Sequence, residues 1–131
     1  MKDALGTIHA VNELSARRGT FRADAYLFVL EALEQAMADM ETPTHISGEH
    51  LLDTIRDIGQ ERYGVMAADV FRSWGVRSTL DFGRIVFHLV DEGLLRKRES
   101  DTLGDFIDKF DFEEAFSLAS RETLKARRGQ A

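Results

Sequence analysis

The chain reads as mainly α, a winged helix-turn-helix-like domain with an amino-terminal helical pair and a short two-stranded β wing. Three observations predict this. Apolar residues recur at spacings of three and four between residues 3 and 92, the period of an amphipathic helix. Gly19, Gly64, Gly75 and Gly93 stand where that pattern breaks, as helix-stopping glycines do. Residues 65–98 then run in a set order: short helix, glycine turn, capped apolar helix, glycine stop and basic edge. Winged helix-turn-helix units are built in that order.

Leu5, Ile8, Val11 and Leu14 predict a first helix over residues 3–17. Arg17 and Arg18 suit its negative carboxyl end and read as a solvated helix terminus. Residues 21–40 predict a second, longer helix with two adjoining apolar stripes. One holds Ala25, Phe28, Val29, Ala32 and Ala36; the other holds Tyr26, Leu30, Leu33 and Met37. Such breadth implies burial against more than one neighbour. Pro43, the only proline, ends this helix and marks the best boundary in the chain. Ser47 is a good N-cap for a third helix to about Tyr63, with Leu51, Leu52, Ile55 and Ile58 facing inward. A short fourth helix over residues 66–74 presents Val70, Phe71 and Trp74.

The fifth helix, residues 78–92, is the best specified. Ser78 or Thr79 caps it, and Asp81 stands three beyond Ser78 in a variant of the capping box. Phe82, Ile85, Val86 and Leu89 form one apolar face; Leu80, Gly83, Phe87 and Val90 form a second. An interior glycine costs about 1 kcal/mol against alanine, so Gly83 implies close approach by a backbone or a large ring. Residues 94–98 read as a strand with a basic end. Phe106, Phe110 and Phe112 read as its returning partner, and residues 113–128 as a final helix with a basic tail. The expected division is a helical pair at 1–42, a winged-helix-like region at 43–115 and a carboxyl-terminal helix and tail at 116–131, together one folded unit.

At 131 residues the chain has the length of one domain. With 44% hydrophobic and 31% charged residues its composition is that of a globular protein. The absence of cysteine excludes disulfides, thiolate catalysis and cysteine zinc sites. No apolar run approaches membrane-spanning or signal-peptide length, so the expectation is a cytoplasmic protein without membrane association. The net charge of −6 is uneven. Residues 1–64 hold 6 basic and 11 acidic groups, a balance of −5, whereas residues 72–98 hold 6 basic and 3 acidic groups, a balance of +3. The acidic whole disfavours nucleic acid as a partner, and the local positive stretch keeps a specific DNA-binding reading in view.

In that reading Arg77 and Arg84 serve a recognition helix, and Arg96, Lys97 and Arg98 serve the wing. Asp81 and Asp91 on the exposed stripe oppose it. His45 and His50, around Ser47 and Glu49, match no metal-ligand spacing, and no metal or other cofactor is expected. His88, with Arg84 and Asp91 nearby in sequence, reads as a surface-paired side chain. Asp108, Asp111, Glu113 and Glu114 read as a solvated acidic face rather than paired catalytic carboxylates. The tripeptide Asp81-Phe82-Gly83 matches a kinase metal-binding motif by chance, since the chain is too short for a kinase and has no glycine-rich loop. With no nucleophile constellation and no phosphate loop, no catalytic residue is assigned.

The run from Trp74 to Phe106, patterned WG…T..DFG.IVF.LV..GL..K, resembles a family of small uncharacterised bacterial proteins. The likeness covers about residues 22–115. The matching positions include Trp74, Gly75, Thr79, Asp81, Phe82, Gly83, Ile85, Val86, Phe87, Gly93, Lys97, Asp101, Asp105 and Phe106. The resemblance implies a bacterial origin and brings no catalytic residues. Asparagine is usual in its pattern where this chain has His88, and glycine where it has Thr54. Asp81, Phe82 and Gly83 belong to the signature whereas most of the arginines do not, the reverse of what a DNA reader would show.

The apolar excess on the second and fifth helices predicts a non-enzymatic protein–protein interaction or regulatory module, with a protein partner or a second copy bound at Leu80, Gly83 and Phe87. The alternative is a DNA-binding transcriptional regulator using the fifth helix and residues 96–98.

Overall fold

The computed structural model describes residues 4–39, 46–95 and 110–116. Among these, every regular element is helical: α1 (Ala4–Arg18), α2 (Ala23–Ala38), α3 (Gly48–Tyr63), α4 (Ala67–Ser73), α5 (Thr79–Asp91) and the four-residue α6 (Phe112–Ala115), with a 3-10 turn at Gly64–Met66 leading into α4. The mainly α class predicted from the periodicity is what forms.

α2 is the centre of the packing, against α1, α3 and α5. Its first stripe explains this: Ala25, Val29, Ala32 and Ala36 are fully buried, and three alanines let neighbouring helices approach closely. α1 contributes Val11 and Leu14, α3 contributes Leu52 and Ile55, and α5 contributes Phe82, Ile85 and Leu89 to the same core. Phe71 on α4 lies under a second, aromatic centre. Six rings surround it with centroids 5.2 to 6.4 Å away: Phe28, Tyr63, Trp74, Phe82, Phe112 and Phe116. Most of these meet edge to face, the arrangement favoured by the ring quadrupole.

Local signals set most of the boundaries. Ser47 caps α3, its hydroxyl accepting from the His50 N–H at 3.0 Å. α4 and α5 each end in a Schellman turn. Val76 N–H reaches Phe71 O and Gly75 N–H reaches Arg72 O in the first; Leu94 N–H reaches Leu89 O and Gly93 N–H reaches Val90 O in the second. Gly75 and Gly93 supply the positive φ these turns need, at 93° and 75°. Ser78 occupies the N-cap position of α5 without capping through its side chain. Asp81 instead ties the preceding residue to the helix start. It is only 7% exposed, and its carboxylate accepts from the Arg77 backbone N–H and from the Arg84 guanidinium, both at 2.8 Å.

The wing requires correction. Leu94 and Leu95 form a bend tied back to Leu89, not a strand. Phe112 lies in α6, where Asp111 caps the Glu114 N–H at 3.1 Å, and not in a returning strand. No strand occurs among the described residues, so the winged-helix assignment is not supported. The reason is local. An aspartate followed by Phe-Glu-Glu-Ala starts a helix as readily as alternating phenylalanines suggest a strand. Arg96, Lys97, Arg98 and Phe106 lie outside the described residues, as do residues 117–128 of the expected final helix.

Candidate functional site

The second stripe of α2 leads out of the core. Tyr26 is fully buried, Leu30 and Leu33 are half-buried, and Met37 is 37% exposed. Leu30, Leu33 and Met37 form the floor of a groove of about 720 Å³. Thr7 of α1 stands on one side, and Gly93, Leu94 and Leu95 stand on the other. The Schellman turn fixes this second wall, because both leucine N–H groups bond to Leu89 O. Among the described residues of the lining, Glu34 is the one charged side chain.

A polar latch beside the groove holds α5 against α1. Arg17 and Arg18 reach across from the end of α1 to the end of α5. Arg17 meets Glu92 at 2.5 Å, and Arg18 lies 3.4 Å from Asp91 and 3.5 Å from Glu92. Both helices end here, so both carboxyl-terminal dipoles favour the guanidinium groups. The arginines are therefore more than a solvated helix end.

His88 sits on the inner side of this latch, not on the surface with Arg84 and Asp91 as expected. Its Nδ1 lies 2.8 Å from the Tyr26 hydroxyl, and its ring packs 5.8 Å from Phe21 and 6.0 Å from Tyr26. The polar stripe read from sequence is thus interrupted by a neighbour that sequence spacing does not show. Burial lowers the His88 pKa, and the Arg18 and Arg84 guanidiniums act in the same direction against Asp91 and Glu92. Burial likewise raises the Tyr26 pKa. A neutral His88 with its proton on Nε2 accepts from the tyrosine hydroxyl.

The sign of the pH effect follows. Native His88 binds its proton less readily than the unfolded chain does. Its contribution to stability is complete above the unfolded pKa of about 6.5 and is lost as pH falls from there through the lower native value. His88→Asn should therefore weaken the loss of stability between about pH 7.5 and about pH 5.5. Urea unfolding midpoints of both proteins at the two pH values check this; identical pH slopes would contradict it.

The other anticipated residues fall as follows. On α5, Gly83 is buried, while Leu80 and Phe87 are half-buried and lie outside the group packed on the described core. Arg77 is exposed, and Arg84 is half-exposed and paired with Asp81. The amino-terminal turn of α5 is itself covered at Thr79, Asp81 and Phe82. His50 donates its backbone N–H to Ser47, and His45 lies outside the described residues. Glu113 pairs with Arg72, and Asp111 caps α6, so these carboxylates have structural work. Asp108 lies outside the described residues. A second depression, of about 570 Å³ between α2 and α3, is polar, and Arg62 spans it to fork onto Glu31 at 2.7 and 3.0 Å. Among the described residues no group of three or more His, Asp or Glu could hold a metal ion, and no helix is long and apolar enough to cross a membrane.

Sequence reasoning missed the groove. Leu30, Leu33 and Met37 were visible as a stripe, but Leu94 and Leu95 read as a strand. The signal for their true role was Gly93, whose Schellman turn brings the two leucines back over the helix. The chain matches no family model, no curated protein and no solved structure.

Proposed function

We propose that the protein is a non-enzymatic interaction or regulatory module, and that the groove between α1, α2 and the end of α5 is where it engages a protein partner. One observation carries this reading: leucines from two elements and Met37 line a concave, preformed surface that the described helices leave open. Contiguous apolar surface of this kind marks contact sites. Leu5 and Ile8 on α1 add exposed apolar area, at 76% and 43%. Leu80 and Phe87 on α5 are a second candidate contact. Kinship with the small bacterial family is part of the proposal and rests on the motif from Trp74 to Phe106.

The test is a pull-down of the tagged full chain from cytosol at low and moderate salt, with and without nuclease, beside a Met37→Asp variant. A protein partner that survives nuclease and salt, and is lost from the folded variant, is the expected result. Recovery only of nuclease-sensitive, salt-sensitive material would overturn the proposal. It would favour DNA binding through Arg77, Arg84, Arg96, Lys97 and Arg98.

A further inference from the structure

We infer that His88 is an acid-sensitive fastening, whose protonation frees the last turn of α1, residues 15–18, from the end of α5. The inference concerns the fold alone and holds whether or not the groove binds a partner. Packing sets its bounds. On one side Val11 and Leu14 are fully buried and keep the body of α1 in the core. On the other, Phe21 is buried and the Arg22 backbone N–H is tied to Trp74 O at 3.0 Å. Between these anchors the chain turns at Gly19, whose N–H reaches Ser15 O at 2.9 Å, and the Ser15 hydroxyl donates to Phe21 O at 2.8 Å. The turn meets α5 through the ion pairs of Arg17 and Arg18 with Asp91 and Glu92, directly over His88 and the Phe21 ring packed on it.

Near neutrality the charges balance. Among the described residues, the charged and titratable groups facing His88 are Arg18 from α1, Tyr26 from α2, and Arg84, Asp91 and Glu92 from α5. Asp81 holds Arg84, and Asp91 and Glu92 answer Arg17 and Arg18. A proton on Nδ1 upsets this in two ways. Tyr26 is fully buried, and among the described residues His88 is the hydrogen-bond partner of its hydroxyl. Once both ring nitrogens donate, that hydroxyl has to accept, and its own proton is left without an acceptor. The ring also becomes a further cation beside Arg17 and Arg18. Arg18 is the weak member, because its Nε is buried without a hydrogen-bond partner among the described residues. The imidazolium repels Arg18 and draws Asp91 and Glu92 toward itself, and both effects loosen the pairs that hold the turn. Arg17 and Arg18 are thus withheld near neutrality and presented to solvent in acid.

The full chain, isotope-labelled, is followed by amide exchange and by shift titration between about pH 7.5 and about pH 5.5. After correction for the intrinsic pH dependence of exchange, protection at residues 16–19 should fall at least about fivefold more than protection in α3, the low end of ordinary coupling between sites. In His88→Asn the side-chain oxygen still accepts from Tyr26 and does not titrate, so the two regions should keep their ratio. Every other histidine is common to both proteins, and the contrast isolates this ring. If the variant does not fold, the unaltered chain decides alone: the His88 ring signals and the amide shifts of residues 16–19 should move with one midpoint. Separate midpoints, a uniform loss of protection over all helices, or the same local loss in His88→Asn would overturn the inference. So would unchanged protection at residues 16–19, since the ring would then turn out to solvent and leave the ion pairs in place.

Discussion

Phe71→Ala is expected to lower stability by about 3–5 kcal/mol, toward the upper end of that range, the typical cost of emptying a buried phenylalanine site. The side chain is fully buried, and six rings lose their common neighbour at once. The surrounding structure has little means of closing the cavity. Phe28 is committed to α2, Phe82 to α5 and Tyr63 to α3, and Phe112 and Phe116 are fixed by the docking of α6. That docking includes Gln60 Nε2 donating to Ala115 O at 2.5 Å and the ion pair between Arg72 and Glu113. A domain of this size is stable by roughly 5–15 kcal/mol, so the variant loses a large share of its margin. Phe71→Leu separates the contributions. It retains most of the apolar burial and loses the edge-to-face contacts, so its expected cost is about 1–2 kcal/mol. Urea unfolding followed by tryptophan fluorescence measures both, since Trp74 lies 5.6 Å from the Phe71 ring. A Phe71→Ala cost below that of Phe71→Leu would refute the account.

The second large effect is expected at Gly75. A Cβ there would stand 2.7 Å from the Thr20 carbonyl oxygen, and the backbone φ of 93° is one that L side chains rarely adopt. Two costs therefore combine in Gly75→Ala: backbone strain and a clash with main chain that cannot rotate away. Together they amount to roughly 2–5 kcal/mol. The clash has a structural consequence as well. Arg22, at the N-cap position of α2, has no side-chain cap, and its backbone N–H donates to Trp74 O at 3.0 Å. Pushing Thr20 away from residue 75 pulls on this bond, so the link between α1 and α2 should loosen from the α4–α5 turn. Amide exchange at Arg22 should accelerate more than at α3. Gly93→Ala is the contrast. Its φ is also positive, at 75°, but nothing lies within 4 Å of an added Cβ. It should incur the strain without the clash, and equal losses at the two glycines would refute the clash argument.

Gly59 shows how a buried centre can announce itself in sequence. It interrupts an otherwise well-patterned α3, and a Cβ there would stand 3.1 Å from the Phe71 ring and 3.2 Å from the Phe116 ring. An interior helical glycine that close packing retains is a readable signal, although the sequence does not say which rings press on it. Gly83 on α5 is another interior helical glycine, and it is buried.

The chain by itself determined the helices. Their apolar periods, the Ser47 cap and the glycine stops are local, and backbone hydrogen bonding and sterics resolve them within one or two turns. The first stripe of α2, the inward faces of α3 and α5, and the mainly α class were legible for that reason. Tertiary structure decided which neighbours meet. His88 and Tyr26 are 62 residues apart, and their hydrogen bond depends on how α5 crosses α2. Arg17 and Glu92 likewise meet only because two helix ends converge. The groove required both stages. Its floor is a stripe with helical spacing, but its leucine wall depends on the turn at Gly93 returning the chain over α5, and on α1 standing opposite. Side-chain spacing encodes which face of a helix is apolar. Whether that face is covered depends on the long-range packing of every other element, which no local pattern records.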